Sequence, residues 1–372
     1  MKIILAAGGS GGHIFPAVAL ASELEKAGVN DIYFVSSQRR LDRDILQDRA
    51  AKCFFLSINP MPLKFAPLKY PQFIRKLLAD MAASIRIIRK TRPDAVVGFG
   101  GYSSGAIVIA AKLFRIPIIL HEQNLIPGRA NRSLSRFADR VAVSFEGTFE
   151  HLKNAKEKIV YSGNPLRREI LGTARVDAAR RLEINAEDLT VLIMGGSQGS
   201  SFLNETASKA AMRVMENFAG NVQFIHLTGR EDYSIVKDFY KNNEIPGKVF
   251  SFLERIDDAY AASDLAISRA GAAAIFELAF YAKPMILVPY PNPKNNQRSN
   301  AVFFSEAGAA IYKDEKNFSE SDLAGEIIWM LSNPSLRDKI SEAALSLSVP
   351  DASKRLADAV IELVEEKRSR IT

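Results

Sequence analysis

The sequence has a single cysteine in 372 residues. That excludes an internal disulfide and points to a reducing compartment. Cys53 lies inside the apolar run CFFLSI, where its neighbours bury the thiol rather than present it for reaction. No stretch reaches the roughly 18 uncharged apolar residues of a membrane-spanning helix. The two nearest candidates are broken by charge, 105–120 by Lys112 and Arg115 and 270–289 by Glu277 and Lys283. The opening MKIILAAGG has too short an apolar run for a secretory leader, so none is expected. No G-x-x-x-x-G-K-[ST] occurs, which argues against a P-loop NTPase. No His/Cys ligand cluster occurs, so neither a metal nor a cofactor is expected.

What is present is an ordinary globular composition, 47% hydrophobic and 24% charged, long enough for two domains. The net charge of +7 is unevenly spread: residues 1–165 carry 24 Lys and Arg against 13 Asp and Glu, and the remainder 25 against 29. The basic half should attract an anionic partner. Strand-like runs alternate with helical patterns: KIILAA, DIYFVSS, KCFFLSI, DAVVGFG, IPIILHE and RVAVS, then LTVLIMGG, VQFIHLTG, KVFSFL, DLAISRAG and PMILVPY. This rhythm predicts an α/β protein with two doubly wound parallel sheets. Gly8-Gly9-Ser10 is echoed by Gly195-Gly196-Ser197, an offset of 187, so both halves reuse one strand–turn–helix device. The turn in SGNPLRREI places the boundary near 163, giving domains 1–163 and 164–350. The amphipathic tail 351–372, with Leu356, Ala359 and Leu363 on one stripe, could close either domain.

Three glycine-rich turns follow predicted strands: GGSGGH (8–13), GFGGYSSG (98–105) and GGSQGSS (195–201). Glycine permits close backbone approach, and the free N–H groups of a following helix face an anion. The carboxyl edge of an open sheet is where ligands bind. A dinucleotide fingerprint is incomplete, because Ile14 stands at its third glycine; yet Arg39 and Arg40 in SSQRR could grip an NADP 2′-phosphate, the rival reading of an NADP-dependent oxidoreductase. His13, just ahead of Pro16, suits a first helical turn, as a general base or as a donor to a loop carbonyl. In SRAGAAAIFELAFYAKP, Glu277 is the one carboxylate of a helix apolar on nearly every face. A buried carboxylate needs partners, and a ligand diol fits better than the distant Arg269 or Lys283. The amides Asn295, Asn296, Gln297 and Asn300 match sugar hydroxyls, or form a polar surface loop.

Residues 61–92 hold eight basic side chains and one acid, Asp80. Ile74, Leu77, Met81, Ile85 and Ile88 form a helical stripe expected to be core, while Phe65, Tyr70, Phe73 and Leu78 fall outside it. Surplus apolar side chains beside basic ones read as a membrane-surface patch, or as the solvated face of a helix. No nucleic-acid motif accompanies the charge.

Taken in order from residue 6 to 301, GGSGGHIFPA, GFGGYSSG, HEQN (His121–Asn124) followed by PG, SGNPLR, MGGSQG, SRAGA…E and NQ…NA resemble the MurG family of peptidoglycan glycosyltransferases. The resemblance implies the GT-B fold, two Rossmann-like domains facing across a cleft, with the C-terminal helix returning to the N-terminal one. It implies inverting transfer of N-acetylglucosamine from UDP-N-acetylglucosamine to the 4-hydroxyl of lipid I, a muramyl-pentapeptide on undecaprenyl diphosphate, giving lipid II and UDP. Another GT-B transferase with a lipid acceptor is the nearer rival, and a non-catalytic membrane adaptor the more distant one. Carried over, Arg167, Ser197, Leu253, Arg269, Glu277, Asn296 and Gln297 would hold the donor, with Glu277 on the ribose and the Leu253 backbone on uracil. Ser10, Gly11, Gly12, Tyr102 and Asn124 would hold the acceptor, and His13 would be the base. Asn296 departs from the more usual glutamine or histidine, and Ala270 from a frequent serine. The resemblance also implies a peripheral protein on the cytoplasmic face of the cell membrane, touching it through Phe73, Arg75, Lys76, Leu77 and Arg86, with cell-wall or division machinery as protein partners.

Overall fold

The computed structural model describes residues 1–57, 70–167, 172–196, 198–292 and 296–370. The chain divides into two compact units, the first made of residues 1–167 and 349–372, the second of residues 168–348.

In the first unit seven strands form one sheet: β1 (Lys2–Ala6), β2 (Asp31–Ser37), β3 (Cys53–Leu56), β4 (Ala95–Gly98), β5 (Ile118–Glu122), β6 (Arg140–Val143) and β7 (Ile159–Tyr161). Their order is β3-β2-β1-β4-β5-β6-β7, every pair parallel. The strands read as continuous apolar runs because both faces are covered. Ile3 and Leu5 of β1 enter one core with the helix Gly11–Lys26 and the C-terminal helix Ala352–Ser369. Ile4 and Ala6 enter another, with the helices Tyr70–Thr91 and Ser103–Leu113. The C-terminal helix buries Leu356, Val360, Leu363 and Val364 on this sheet, each worth about 1.5–3 kcal/mol as an upper bound. Arg140 fixes it further, donating to the Ala359 carbonyl (3.1 Å) and to Glu362 (3.0 Å).

The second unit has six strands: β8 (Leu189–Met194), β9 (Val222–Leu227), β10 (Gly247–Phe250), β11 (Leu265–Ser268), β12 (Met285–Leu287) and β13 (Ile311–Tyr312). Their order is β10-β9-β8-β11-β12-β13, again parallel throughout. Both sheets therefore run outward from a first strand in the 3-2-1-4-5-6 sense of dinucleotide-binding folds. The order reverses between β1 and β4 and between β8 and β11, and each reversal opens a crevice at the carboxyl edge. The α/β reading, with two doubly wound parallel sheets, describes the molecule.

The stripe expected on the helix Tyr70–Thr91 is core only in its second half. Ile88 is buried, but Ile74 and Leu77 are 51% and 43% exposed, alongside Leu78 at 65%. Asp80 marks the change: it is buried and accepts from the backbone and hydroxyl of Ser57, the residue just past β3. Among the described residues, the core that this helix joins takes its side chains only from Met81 onward. Phe65 lies outside the described residues. Cys53 is half-buried, its Sγ facing the Arg49 carbonyl at 3.2 Å, and burial pushes the thiol up to about 11. It is inert as a nucleophile near neutral pH.

Candidate active sites at the two switch points

At the first switch point the chain leaves β1, turns through Gly8–Ser10 and enters a helix at Gly11. Gly9 sits at φ +89°, which glycine alone adopts cheaply. Ser10 is the extended N-cap and makes no side-chain cap bond. His13 is the third helical residue, and Pro16 falls in the second turn, removing the i+4 donor for the Gly12 carbonyl. Two side chains from beyond β2 hold the turn. The buried Asp42 carboxylate takes the Gly9 N–H (2.9 Å), the Ser37 N–H (3.1 Å) and the hydroxyls of Ser36 (3.0 Å) and Ser37 (2.5 Å) on one oxygen. Arg39 donates to the Gly9 carbonyl at 2.9 Å. The SSQRR segment thus builds the glycine turn instead of presenting a phosphate grip, and Arg40 faces Asp44 on the exposed side.

The second wall of this crevice follows β4 and β5. Ser104 donates to the carbonyls of Ala6 (3.0 Å) and Gly100 (2.6 Å), tying the GFGGY turn to the end of β1. Gly101 lies beside the His13 ring: a Cβ there would stand 3.7 Å from Nε2. Tyr102, next in the chain, is half exposed. Just past β5, the Gln123 side chain meets His13 Nδ1 at 2.9 Å. Its amide nitrogen lies 3.0 Å from the carbonyls of Phe99 and His121 and from His121 Nδ1. His121 is fully buried, its Nε2 3.2 Å from the Gly163 carbonyl, and burial pushes it down to about 4. Glu122 is buried with neutral donors on both oxygens: Asn124 N and Nδ2 on one (3.0 and 3.1 Å), Gly128 N and Asn131 Nδ2 on the other (3.0 and 2.9 Å). It holds Asn124 in place. Ser10, Gly11, Gly12, His13, Tyr102 and Asn124 therefore share the crevice formed by the ends of β1, β4 and β5.

At the second switch point β8 ends at Met194 and runs into Gly195, and Gly196 again takes φ +89°. Gly199 packs backbone against backbone on the turn after β9; a Cβ there would fall 2.0 Å from the Thr228 carbonyl oxygen. Ser200 caps the helix Ser201–Asn217, accepting from Leu203 N at 3.4 Å. Arg269, after β11, is buried and committed: it donates to Ser200 Oγ (2.5 Å) and the Val288 carbonyl (3.0 Å), and pairs with Glu315. Its guanidinium also stands over the Tyr290 ring. A cavity of about 420 Å³ opens here, lined by Gly195, Gly196, Ser200, Arg269, Gln297 and Glu315 among others. Gln297 begins the helix Gln297–Glu306 and accepts from Tyr290 N at 3.0 Å, with Asn296 as its N-cap.

Glu277, on the buried helix Ala272–Phe280, is 4% exposed and accepts from the Tyr260 hydroxyl at 2.7 Å. Leu253 is half-buried in the loop between β10 and the helix Ile256–Ala262, beside the exposed Phe252. Ser197 lies outside the described residues. Arg167 groups with the first unit, where its guanidinium stacks 4.2 Å from the Phe15 ring centroid. Sequence reasoning missed Asp42, Gln123, Ser104, Glu315 and the Thr228–Gly229 turn. Gln123 carried a signal in its place in HEQN, and Ser104 in its place in GFGGYSSG.

Known proteins bear on this architecture. Residues 3–143 match the glycosyltransferase family 28 N-terminal domain and residues 190–356 its C-terminal domain. The crystal structure of MurG from Acinetobacter baumannii matches with a TM-score of 0.75 at 26% identity, covering 97% of this chain and 100% of that one. Two doubly wound units with glycine turns at their switch points, on that framework, define a GT-B glycosyltransferase. The chain is 34% identical over 368 residues to the UDP-N-acetylglucosamine–N-acetylmuramyl-(pentapeptide) pyrophosphoryl-undecaprenol N-acetylglucosamine transferase of Halothermothrix orenii, covering 97% of this chain and 98% of that one. It is 33% identical over 371 residues to the enzyme of the same name from Natranaerobius thermophilus, covering 98% and 100%. It belongs to this family of transferases.

Proposed function

We propose that the protein transfers N-acetylglucosamine from UDP-N-acetylglucosamine to the 4-hydroxyl of the muramyl sugar of lipid I, releasing UDP and lipid II. The full-length identity to transferases of that name carries this reading. In it the second unit binds the donor. The backbone N–H groups of the GGSQGS turn and the Arg269 guanidinium face the diphosphate, Glu277 the ribose, the Leu253 backbone the uracil, and Asn296 and Gln297 the sugar. Charge that develops on the leaving UDP is met by dipoles already in place. Glu315 keeps Arg269 extended toward Ser200, so little reorganisation is needed when the diphosphate arrives.

The first unit binds the acceptor. Ser10, Gly11 and Gly12 at the helix N-terminus suit the lipid diphosphate, and Tyr102 and Asn124 the sugar. The acceptor hydroxyl attacks the anomeric carbon opposite UDP and inverts it, while His13 takes the hydroxyl proton. The protein works at the cytoplasmic membrane face. Phe73, Ile74, Leu77 and Leu78 dip into the bilayer surface beside Arg75, Lys76 and Arg86, with Asp80 turned inward so that no acid opposes anionic lipid. Among the described residues no helix is long and apolar enough to cross a membrane.

Radiolabelled UDP-N-acetylglucosamine incubated with a lipid I analogue in detergent tests this directly. Label in the extracted lipid is expected; label only in free sugar or unreacted donor sinks the assignment.

A further inference from the structure

We propose that Gln123 is a positioning residue that sets the tautomer of His13, holding the hydrogen on Nδ1 and the lone pair on Nε2, beside Gly101. The inference rests on the reading of His13 as base but is decided by the hydrogen-bond network. The amide nitrogen of Gln123 faces two backbone carbonyl oxygens, Phe99 and His121, each at 3.0 Å. Carbonyl oxygens only accept, so the group facing them must be the NH2. The amide cannot be turned over without opposing oxygen to oxygen twice in a buried site. Its own oxygen is thereby fixed toward His13 Nδ1 at 2.9 Å, and an amide oxygen also only accepts. Nδ1 must then carry a hydrogen, and in the neutral ring Nε2 is the proton acceptor.

His121 agrees with this assignment from the other side. Its Nε2 faces the Gly163 carbonyl at 3.2 Å and so carries the hydrogen, leaving Nδ1 free to accept from the Gln123 amide at 3.0 Å. The Gln123 NH2 has two hydrogens to share among three acceptors, the Phe99 and His121 carbonyls and His121 Nδ1, and none of the three opposes the assignment. A free histidine prefers its hydrogen on Nε2, the state in which the atom beside Gly101 would be a donor and useless as a base. The amide also differs from a carboxylate in this position. It selects the tautomer without adding negative charge, so His13 takes the substrate proton on Nε2 and becomes an imidazolium still donating from Nδ1 to Gln123.

The test is a two-bond proton–nitrogen correlation spectrum of the full chain labelled with nitrogen-15 at its four histidines, with the His13 signals assigned by their loss in His13→Gln. The expected spectrum has His13 Nδ1 in the protonated and Nε2 in the unprotonated nitrogen range. Gln123→Met, similar in length but without the amide, should shift His13 toward the Nε2–H form. It should lower kcat roughly tenfold to a hundredfold, with KM for both substrates within about threefold. A wild-type His13 with its hydrogen on Nε2 overturns the proposal, and needs no variant to be folded. A Gln123→Met protein with unchanged tautomer and unchanged kcat overturns it too. Full activity in His13→Gln, with the wild-type spectrum as expected, would instead remove His13 as base and leave the tautomer assignment standing.

Discussion

The two glycine turns are nearly the same object. Gly9 and Gly196 lie 187 residues apart, both at φ +89°, each after the first strand of a sheet built in the same order. They differ in what holds them and in what stands at the helix mouth. The first turn is pinned by side chains, Asp42 and Arg39, and presents an imidazole held by a neutral amide. The second is pinned by backbone packed on backbone at Thr228 and presents a hydroxyl bonded to an arginine that is itself held by a carboxylate. On the proposed function, one backbone device would serve proton transfer in one unit and anion binding in the other, the choice lying in side chains contributed by neighbouring strands.

The largest effect should separate those two tasks. His13→Ala should lower kcat by about a thousandfold while UDP affinity, measured by calorimetry, stays within about twofold. Glu277→Gln keeps an acceptor for the Tyr260 hydroxyl and so should fold normally, yet weaken UDP about tenfold. If His13→Ala loses UDP binding instead, the division of labour between the turns is wrong.

A second contrast concerns buried histidines, one in each unit. His121 is pushed down to about 4 and His226 to about 3, in both cases chiefly by burial. Both native values lie below the ordinary 6.5, so between these limits the unfolded chain binds protons that the native chain does not. Stability is therefore full well above pH 6.5 and falls as pH drops through the ordinary histidine value toward the lowered ones. Thermal midpoints should fall between pH 7 and 5. His226→Gln should flatten that slope; a slope unchanged by the variant would mean that His226 is protonated in the native state.

Much of this was legible from sequence because parallel strands covered on both faces announce themselves as apolar runs, and switch-point turns announce themselves as glycines. The His13, Tyr102 and Asn124 neighbourhood followed from motif order. The supports were not legible. Gln123 reaches His13 across 110 positions and Arg269 reaches Glu315 across 46, and no local pattern encodes such pairings. The helix at 70–91 misled for a different reason: periodicity tells which residues share a face, not where the sheet beneath that face ends. Ile74 and Leu77 keep the core period after the core has stopped.

That overhang supports a charge contrast. Arg75→Glu with Lys76→Glu should weaken binding to vesicles containing anionic lipid by about 1 kcal/mol per position or more, and leave transfer to a detergent-soluble acceptor analogue intact. The comparable exchange on the second unit, Lys209→Glu, lies in the acidic part of the chain and should leave vesicle binding unchanged. Equal losses from both would make the attraction a property of net charge rather than of the patch.

The smallest effects test how the turns are held. Gly199→Ala places a Cβ 2.0 Å from the Thr228 oxygen at φ +80°, so the turn must shift, at a cost of about 2 kcal/mol or more, with UDP binding lost alongside. Gly12 is at the equivalent offset in the first turn, yet a Cβ there meets only Ser10 Oγ, at 3.8 Å. It is helical, so alanine should fit and even gain a few tenths of a kcal/mol from helix propensity. An unchanged or slightly raised melting temperature for Gly12→Ala, against a clear drop for Gly199→Ala, would show that the two turns share a shape but not a mode of support. If Gly12→Ala keeps its stability but loses turnover, the space over Gly12 is needed by the acceptor, and the glycine is there for the ligand rather than for the fold.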